Sequence, residues 1–440
     1  MKKVYLETFG CQMNVSDSER VSTLLAARGF EITRTEDTAD VVLLNTCSVR
    51  EKAEHKLYTR VGQIRNSKKK PALGIMGCVA QLEGETLFEK APGIDFILGT
   101  KALGRVPEAI EAATKKKKRF IDLGEREENY DWSVSPLQRH SPHIAFLPIM
   151  EGCNKFCTYC IVPFSRGREK SLPAAQIIAQ ILQLRRQGIK EIHLIGQNVN
   201  SYRPKTEAGL ENFRGATLFS RLLRAAAATG VERIKFTTSF PRDFHPDIVA
   251  AINENENLCN WVHLPVQSGS DKILKAMRRG HNVDNYLRRV DVIKNSPRKI
   301  SLTTDVIVGF PGETIEDFEA TIRLFEYCQY DSTYIFKYSV RQGTPASQFS
   351  DDVTKAEKTR RFIELEQIQK RIQSKIFASM LNQIVEVLVE KQSSKSSEDL
   401  SGHTTCHKVV NFKGDLELLG KIAKIKITDS KNNSLYGTVL

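Results

Sequence analysis

The sequence lacks three features that would each have placed it in a large class of proteins. No apolar run reaches the roughly 20 residues that a membrane-spanning helix needs. The first residues, MKKVYLETFG, lack the long apolar stretch of a signal peptide, because Glu7 interrupts it. The spacing G-x-G is absent throughout, and neither a dinucleotide-binding fingerprint nor a P-loop is found. We therefore expect a cytoplasmic protein without these nucleotide-binding motifs.

The size and the charge of the chain set broader limits. With 440 residues, 40% of them hydrophobic and 27% charged, the chain is typical of a soluble globular protein with two or three domains. The formal net charge of +13 indicates a polyanionic partner such as nucleic acid. Lysines solvated on an ordinary surface explain that charge equally well.

The first hundred residues alternate short apolar runs with helical segments. The runs and segments are Val4–Leu6, Asp17–Arg28, Val41–Leu44, Val49–Asn66 and Leu73–Met76. This alternation predicts βαβ units and a parallel sheet. The like-charge block KKKKR at residues 115–119 is typical of a solvated linker, so we place the first domain boundary there.

The central part of the chain repeats a strand-then-helix pattern six times. The candidate strands are Ile144–Ile149, Glu191–Ile195, Arg233–Thr238, Trp261–Val266, Ser301–Phe310 and Thr333–Ser339. Ala174–Arg186 and Glu316–Tyr327 have clear amphipathic helical spacing. Six βα units predict a partial or complete βα barrel, although a doubly wound sheet has the same order along the chain.

The last part of the chain changes character. An amphipathic helix is predicted from Lys355 to about Met380, with apolar residues every three or four positions. Short β runs separated by Ser, Gly, Asn and Asp follow it. They predict a small antiparallel β-barrel.

Three cysteines with the spacing CxxxCxxC give the strongest chemical signal. Cys153, Cys157 and Cys160 follow the first strand of the predicted barrel and can supply three of the four ligands of a cubane iron–sulfur cluster. An open fourth position is typical of a catalytic rather than a structural metal site. The segment is similar to the cluster motif of radical-SAM enzymes, in which the open iron binds S-adenosylmethionine. A structural zinc site with a distant fourth cysteine is the alternative.

A second set of cysteines occupies one topological position in the N-terminal domain. Cys11, Cys47 and Cys78 each come just after a predicted strand. The carboxyl ends of parallel strands lie along one edge of a sheet, so the three thiols can meet there and hold a second cluster. Each alone is more typical of a buried core residue. The other cysteines, Cys259, Cys328 and Cys406, have no partner pattern and are interpreted as structural.

Polar residues and glycines at the predicted strand ends are candidates for binding S-adenosylmethionine at the barrel mouth. They are Gln197, Asn198, Ser239, Gln267, Gly309 and Glu313. Such residues also occur at strand ends simply as turn formers.

Eight segments together resemble the methylthiotransferase family of radical-SAM enzymes, and its MiaB branch in particular. They are GCQMNVSDSE, NTCSVREKAEHK, GCVAQ, EGCNKFCTYCIVPFSRGRE, IGQNVNSY, HLPVQSGSDKIL, DVIVGFPGETIEDF and GTPAS. The resemblance covers nearly the whole chain. It implies an N-terminal methylthiotransferase domain (residues 1–118), a radical-SAM core with a partial (βα)6 barrel (139–369) and a TRAM domain that binds RNA (372–440).

The resemblance also implies an activity. The enzyme would convert N6-(dimethylallyl)adenosine, next to the anticodon of tRNA, to its 2-methylthio derivative. Two 4Fe–4S clusters would serve it, a radical-SAM cluster on Cys153, Cys157 and Cys160 and an auxiliary one on the other three cysteines. S-adenosylmethionine would be both methyl donor and radical source. An electron donor such as a flavodoxin or ferredoxin and a sulfur donor would be partners, and no membrane is expected.

The RNA target would lie in a single-stranded loop, where a base can be splayed out. Arg166, Arg168 and Lys170 directly follow the cluster loop and are candidate contacts to the RNA backbone, although they are equally typical of surface charges. Two alternatives remain at this point. One is a methylthiotransferase that acts on a ribosomal protein or on threonylcarbamoyl-adenosine, and the other is an iron–sulfur protein that binds RNA or senses redox state without turnover.

Overall fold

The computed structural model describes residues 1–48, 51–115 (backbone only for 51–55), 118–124, 134–394 and 396–440. The chain forms two compact units. The first comprises Met1–Ser141, Glu151–Asn154 and Cys160–Glu169, and the second comprises Pro142–Met150, Lys155–Tyr159 and Lys170–Leu440. No helix within the described ranges is long and apolar enough to cross a membrane.

The first unit contains a six-stranded, entirely parallel sheet. Its strands are β1 (Lys3–Thr8), β2 (Glu31–Thr33), β3 (Val41–Thr46), β4 (Ala72–Gly77), β5 (Phe96–Leu98) and β6 (Phe120–Asp122), in the order β2-β1-β3-β4-β5-β6. Its helices are α1 (Gln12–Ala27), α2 (Glu51–Arg65), α3 (Cys78–Glu83), α4 (Thr86–Lys90) and α5 (Val106–Lys115). The parallel sheet predicted for this domain is therefore confirmed.

The central strand β3 shows why this sheet forms. All six residues of β3 are buried, as expected for a parallel strand covered on both faces. Successive side chains point to opposite faces, so Val42 and Leu44 join one apolar cluster and Val41 and Leu43 the other.

Two features of this unit differ from the sequence prediction. Helix α1 begins at Gln12, five residues before the predicted Asp17, directly after Cys11. The sheet extends to β6, beyond the predicted boundary at residue 118, because β6 pairs with β5. The start of the second predicted helix, Val49 and Arg50, lies outside the described residues.

The central part of the chain contains the six predicted strands in chain order. Its strands are β7 (Ile144–Pro148), β8 (Met150–Glu151), β9 (Lys170–Ser171), β10 (Glu191–Ile195), β11 (Arg233–Phe236), β12 (Trp261–His263), β13 (Ser301–Val308) and β14 (Ser332–Lys337). Its helices are α6 (Val162–Arg166), α7 (Ala174–Arg186), α8 (Leu218–Ala228), α9 (Asp247–Glu254), α10 (Asp271–Ala276), α11 (Val283–Lys294), α12 (Ile315–Cys328) and α13 (Lys355–Ala378).

These strands form a partial barrel rather than a doubly wound sheet. Two parallel sheets, β7-β10-β11 and β12-β13-β14, follow chain order without reversal. A doubly wound sheet would reverse its strand order at a switch point. Backbone hydrogen bonds from Ile234 to Asn257 (2.7 Å) and from Cys259 to Ile234 (2.8 Å) connect β11 to the segment before β12.

A closed five-stranded barrel ends the chain. Its strands are β15 (Ile384–Gln392), β16 (Asp399–Thr404), β17 (Val409–Lys413), β18 (Ile422–Lys431) and β19 (Ser434–Val439), in the order β15-β16-β17-β19-β18. The predicted small barrel is confirmed. One pair departs from the predicted antiparallel arrangement, because β17 and β19 run parallel.

Candidate active site and cluster-binding cysteines

Three cysteines of the first unit stand at the carboxyl ends of three neighbouring strands. Cys11 follows β1 and precedes α1, Cys47 directly follows β3, and Cys78 directly follows β4 and begins α3. The Cys11 and Cys47 side chains share a hydrogen bond, and Cys11 and Cys78 interact electrostatically. The structure thus brings together the three thiols that the sequence analysis placed at one sheet edge. Their role as cluster ligands stays a prediction.

Two glycines allow these strand ends to approach one another so closely. Gly10 has a φ of +115°, and a Cβ there would lie 2.2 Å from the Cβ of Cys47 and 2.8 Å from its Sγ. Gly77 has a φ of +95°, and a Cβ there would lie 2.4 Å from Asn45 Oδ1. A residue with a side chain would be both strained and crowded at either position. The glycine before Cys11 and the one before Cys78 are therefore structural requirements of the site.

Asn14, in the first helical turn after Cys11, ties the two turns together. Its Nδ2 donates to the backbone carbonyl oxygens of Phe9 and Thr46, each at 2.9 Å. Asn45 Nδ2 in turn donates to the Asn14 carbonyl at 2.8 Å. These buried bonds fix the loops that carry Cys11 and Cys47. The motif GCQMN by itself does not predict this role for its asparagine.

Arg166 belongs to this cysteine site and not to the protein surface. Its side chain is 3% exposed, and its guanidinium contacts Asp17 (2.8 Å), Asn14 (3.0 Å) and Glu151 (3.1 Å). The prediction that Arg166 contacts RNA is therefore corrected, because its donors already have buried partners. Sequence neighbours could not reveal this, since the side chain faces inward from the short helix α6.

The charges at this site suit an anionic group held by thiolates. Cys11 is exposed, and its hydrogen bond with Cys47 lowers the pKa of Cys11 to about 6. Burial raises the pKa of the Cys78 thiol. Although burial alone would lower it, the charges of Asp17 and of the two thiolates raise the pKa of Arg166. Three thiols beside a fixed cation fit an iron–sulfur cluster, whose thiolates carry negative charge and are tuned by such neighbours.

The CxxxCxxC cysteines have different surroundings. Cys153 and Cys160 are half-buried and belong to the first unit, whereas Cys157 is buried in the second. Arg279 Nη1 donates to Cys157 Sγ at 3.4 Å, and its Nη2 donates to the Pro265 carbonyl at 2.6 Å. Sequence reasoning missed Arg279, because it stands in the polar segment MRRGHN without any motif or periodicity to mark it. Among the described residues, none of the nine cysteines forms a disulfide.

Buried polar atoms without a partner mark the carboxyl ends of the barrel strands. Asn198 Oδ1, Thr237 Oγ1 and Ser239 Oγ are shielded from solvent and have no hydrogen-bond partner among the residues that the structure describes. Unsatisfied buried polar atoms are rare and indicate a missing ligand or water. Thr238 and Gln267 have φ values of +74° and +79°, which is unusual for residues with side chains. The barrel mouth therefore fits a polar ligand such as S-adenosylmethionine.

The other four residues predicted to contact S-adenosylmethionine fall into two groups. Gln197 is half-buried just after β10, and Gln267 is buried beyond β12, so both stay candidates. Glu313 is instead paired with Arg361 at 2.7 Å and accepts from the Gly309 amide at 2.5 Å. These bonds occupy the Gly309 amide and the Glu313 carboxylate, and the contact of either residue with S-adenosylmethionine stays a prediction.

Arg168 and Lys170 lie differently from Arg166. Both are exposed, so their side chains are available for an RNA backbone. The structure does not test that role, and it stays a prediction.

Sequence models of three protein families match the chain. Residues 3–99 match "Uncharacterized protein family UPF0004", residues 147–325 match the radical SAM superfamily, and residues 378–440 match the TRAM domain. A solved structure supports the same fold, the radical S-adenosylmethionine methyltransferase TsrM from Kitasatospora setae. It has a TM-score of 0.57 at 15% identity and covers 79% of this chain and 77% of its own. The fold and the cysteines are those of a radical-SAM enzyme with a TRAM domain.

Curated relatives narrow this class to a family. The chain is 43% identical, over 99% of its length and 97% of the relative, to the tRNA-2-methylthio-N(6)-dimethylallyladenosine synthase of Solibacter usitatus (strain Ellin6076). It is 41% identical, over 100% of its length and 99% of the relative, to the synthase of that name from Carboxydothermus hydrogenoformans. The chain belongs to the family of tRNA-2-methylthio-N(6)-dimethylallyladenosine synthases.

Proposed function

We propose that this enzyme converts N6-(dimethylallyl)adenosine, next to the anticodon of tRNA, to 2-methylthio-N6-(dimethylallyl)adenosine. The observation that carries the proposal is the 43% identity to a synthase of that name over 99% of the chain. The three thiols at the edge of the N-terminal sheet, two of which interact with Arg166, support it, because a second cluster could supply the sulfur that is inserted.

The target position explains why cofactors are required. Carbon 2 of adenine carries an unactivated C–H bond, which no polar side chain can functionalise. When bound, the two clusters supply the electron that cleaves S-adenosylmethionine and the sulfur that is transferred. Cys153, Cys157 and Cys160 would hold the first cluster.

The auxiliary cluster would be held by Cys11, Cys47 and Cys78. Asn14 keeps their loops in place and Arg166 offsets the negative charge of the thiolates, so the site is rigid before any cofactor binds. Preorganisation of this kind is what a site on strand ends provides.

Polar groups that are unpartnered or exposed are the candidates for binding S-adenosylmethionine and RNA. Asn198, Thr237 and Ser239 would contact S-adenosylmethionine through their buried, unpartnered oxygens. Arg279 is a positioning residue for the Cys157 thiolate. Arg168 in the first unit and Lys170 in the second are exposed and would bind RNA phosphates. The TRAM domain, from about residue 372, would add affinity for tRNA.

The reaction needs partners beyond tRNA. An electron donor such as a flavodoxin or a ferredoxin would reduce the first cluster, and a sulfur donor would restore the auxiliary one. We propose that the enzyme works in the cytoplasm, where its tRNA substrate is found.

Two alternative functions make different predictions. A methylthiotransferase acting on a ribosomal protein or on threonylcarbamoyl-adenosine would have the same clusters and differ in its product alone. An iron–sulfur protein without turnover would not form 5′-deoxyadenosine from S-adenosylmethionine after reduction. Nucleoside analysis separates the first alternative from the proposal, and the 5′-deoxyadenosine assay separates the second.

The decisive experiment combines deletion with complementation. Transfer RNA from cells that lack the gene should contain N6-(dimethylallyl)adenosine without the methylthio group, as measured by mass spectrometry of nucleosides. The wild-type gene and Cys259→Ala should restore the methylthio group, whereas Cys157→Ala should not. Both thiols are buried in the second unit, so the pair controls for loss of a buried thiol. Unchanged methylthio content in the deletion strain would refute the proposal.

A further inference from the structure

A second cluster of ligand-type side chains shares no residue with the six cysteines proposed as cluster ligands. Glu191, at the start of β10, is fully buried. Its Oε1 lies 2.5 Å from His193 Nε2, 3.0 Å from His403 Nε2 and 3.1 Å from His407 Nε2. His403 is the last residue but one of β16, and His407 lies in the turn that follows, so the C-terminal barrel supplies two of the three imidazoles. One buried carboxylate therefore has three imidazole neighbours.

The spacing of these atoms suits a metal ion. One ligand atom from each of Glu191, His403 and His407 can be chosen so that all lie within 4.8 Å of one another. Two ligands at about 2.1 Å from a tetrahedral zinc ion are about 3.4 Å apart. The observed 3.0 and 3.1 Å contacts to Glu191 Oε1 come close to that separation. The His403 and His407 rings stack with centroids 4.2 Å apart and planes 21° apart, so both present Nε2 to one carboxylate.

The surroundings of His403 have the form expected of a metal ligand. Its other ring nitrogen, Nδ1, contacts the carboxylate of Glu390. Metal-bound histidines usually donate that second N–H to a carboxylate or a carbonyl, which fixes the ring orientation. Arg233 Nη1 also donates to the His403 backbone carbonyl at 3.0 Å. The left-handed backbone of His407, with φ +59°, sets the direction of the other imidazole.

Two buried cations near this site disfavour the binding of a metal ion. Arg233 lies 3.9 Å from Glu191, and Lys235 Nζ lies 3.8 Å from the centre of the Trp261 ring. Burial lowers the pKa of Lys235 to about 8. A metal ion held by Glu191 must therefore compete with these two positive charges.

We propose that Glu191, His403 and His407 bind one divalent transition metal ion, of which zinc fits best, between β10 and the C-terminal barrel. Imidazole and carboxylate ligands suit zinc, and three protein ligands leave one position for water or for His193. The ion would join the barrel strand β10 to the C-terminal domain. This site shares no ligand with the cysteine clusters and does not depend on the proposed function.

The first test measures metal content in the holoenzyme. After dialysis against zinc at pH 8 and removal of loose metal, we expect one zinc ion per chain in addition to iron. X-ray absorption at the zinc edge should show nitrogen and oxygen ligands at about 2.0–2.1 Å and no sulfur at about 2.3 Å. Sulfur in the zinc shell would mean that zinc occupies a cysteine site, and it would overturn the proposal. Absence of zinc would do the same.

Matched variants locate the ion. His403→Asn/His407→Asn should lose the zinc and keep the iron, whereas His140→Asn, an exposed histidine of the first unit, should keep both. Retention of zinc by a folded double variant would refute the site.

A second measurement does not depend on those variants. At pH 8, competition with a chromophoric chelator should show that Lys235→Met binds zinc more tightly than the wild-type holoenzyme does, because the variant removes an opposing positive charge. Unchanged or weaker zinc binding by a folded Lys235→Met variant would contradict the proposal.

Discussion

Replacement of Arg166 by methionine tests whether this residue is internal to the cysteine site. The change removes one partner from each of two buried carboxylates, Asp17 at 2.8 Å and Glu151 at 3.1 Å. Breaking a buried ion pair by removing one partner costs about 3–5 kcal/mol, because the remaining charge stays desolvated. Since Arg20 also pairs with Asp17 at 3.3 Å, the local stability of α1, which carries Asp17, should fall by the lower end of that range, about 3 kcal/mol. Its amide hydrogens should then exchange at least roughly 10²-fold faster, since each 1.4 kcal/mol is a factor of ten.

Hydrogen exchange of the cluster-free protein, followed by mass spectrometry of peptides from α1, measures this effect. Arg168→Met is the matched control, because Arg168 is exposed and two positions away. The control should leave exchange in α1 unchanged. The two variants should have the opposite effects on tRNA binding. Arg168→Met should weaken the affinity for tRNA and reduce its salt dependence by about one phosphate contact. Arg166→Met should leave that salt dependence unchanged. Equal exchange in the two variants would refute the buried role of Arg166.

Three further predictions concern the clusters and pH. Anaerobically reconstituted protein should hold about eight iron atoms, as two cubanes require, and Cys259→Ala should keep that number, which iron analysis checks. Cys157→Ala should abolish 5′-deoxyadenosine, whereas Cys47→Ala should still form it but give no methylthio product. Although burial opposes protonation of His403, the charges of Glu191 and Glu390 raise its pKa to about 9 in the folded protein, above the value of about 6.5 in the unfolded chain. Protonated His403 therefore stabilises the folded protein fully below about pH 6.5, and this stabilisation is lost as the pH rises toward 9. The free energy of unfolding, measured with urea in the presence of a chelator, should therefore fall by about 1 kcal/mol per pH unit between about pH 6.5 and 8 in the wild type. This fall should exceed any change seen in His403→Asn.

The features that the sequence predicted well are those that periodicity determines locally. Strand Glu191–Ile195 and helix Ala174–Arg186 have the predicted bounds, because each is a compact run with clear turn residues on both sides. The meeting of Cys11 and Cys47 was also predictable, since strand ends in a parallel sheet share one edge. Short strands such as β5, with three residues, have too little pattern to be recognised.

The features that it missed depend on contacts between distant residues. Arg166 and Arg168 look alike in the string SRGRE, yet one is buried beside Asp17 and the other is exposed. Glu313 looks like a ligand at a strand end until Arg361, far along the chain, is seen to pair with it. Two of the three imidazoles around Glu191 come from a domain about two hundred residues away in sequence. No local pattern carries that information.

The first unit cannot be produced as one continuous fragment of the chain. That unit is not a continuous piece of chain, because Glu151–Asn154 and Cys160–Glu169 belong to it while Pro142–Met150 and Lys155–Tyr159 do not. A fragment ending at Ser141 would contain Asp17 without Arg166. During synthesis, likewise, the N-terminal sheet can form early but cannot acquire its buried guanidinium until the ribosome has passed α6. No single cut separates the two units, so an exchange of the N-terminal sheet between relatives should also transfer Glu151–Asn154 and Cys160–Glu169.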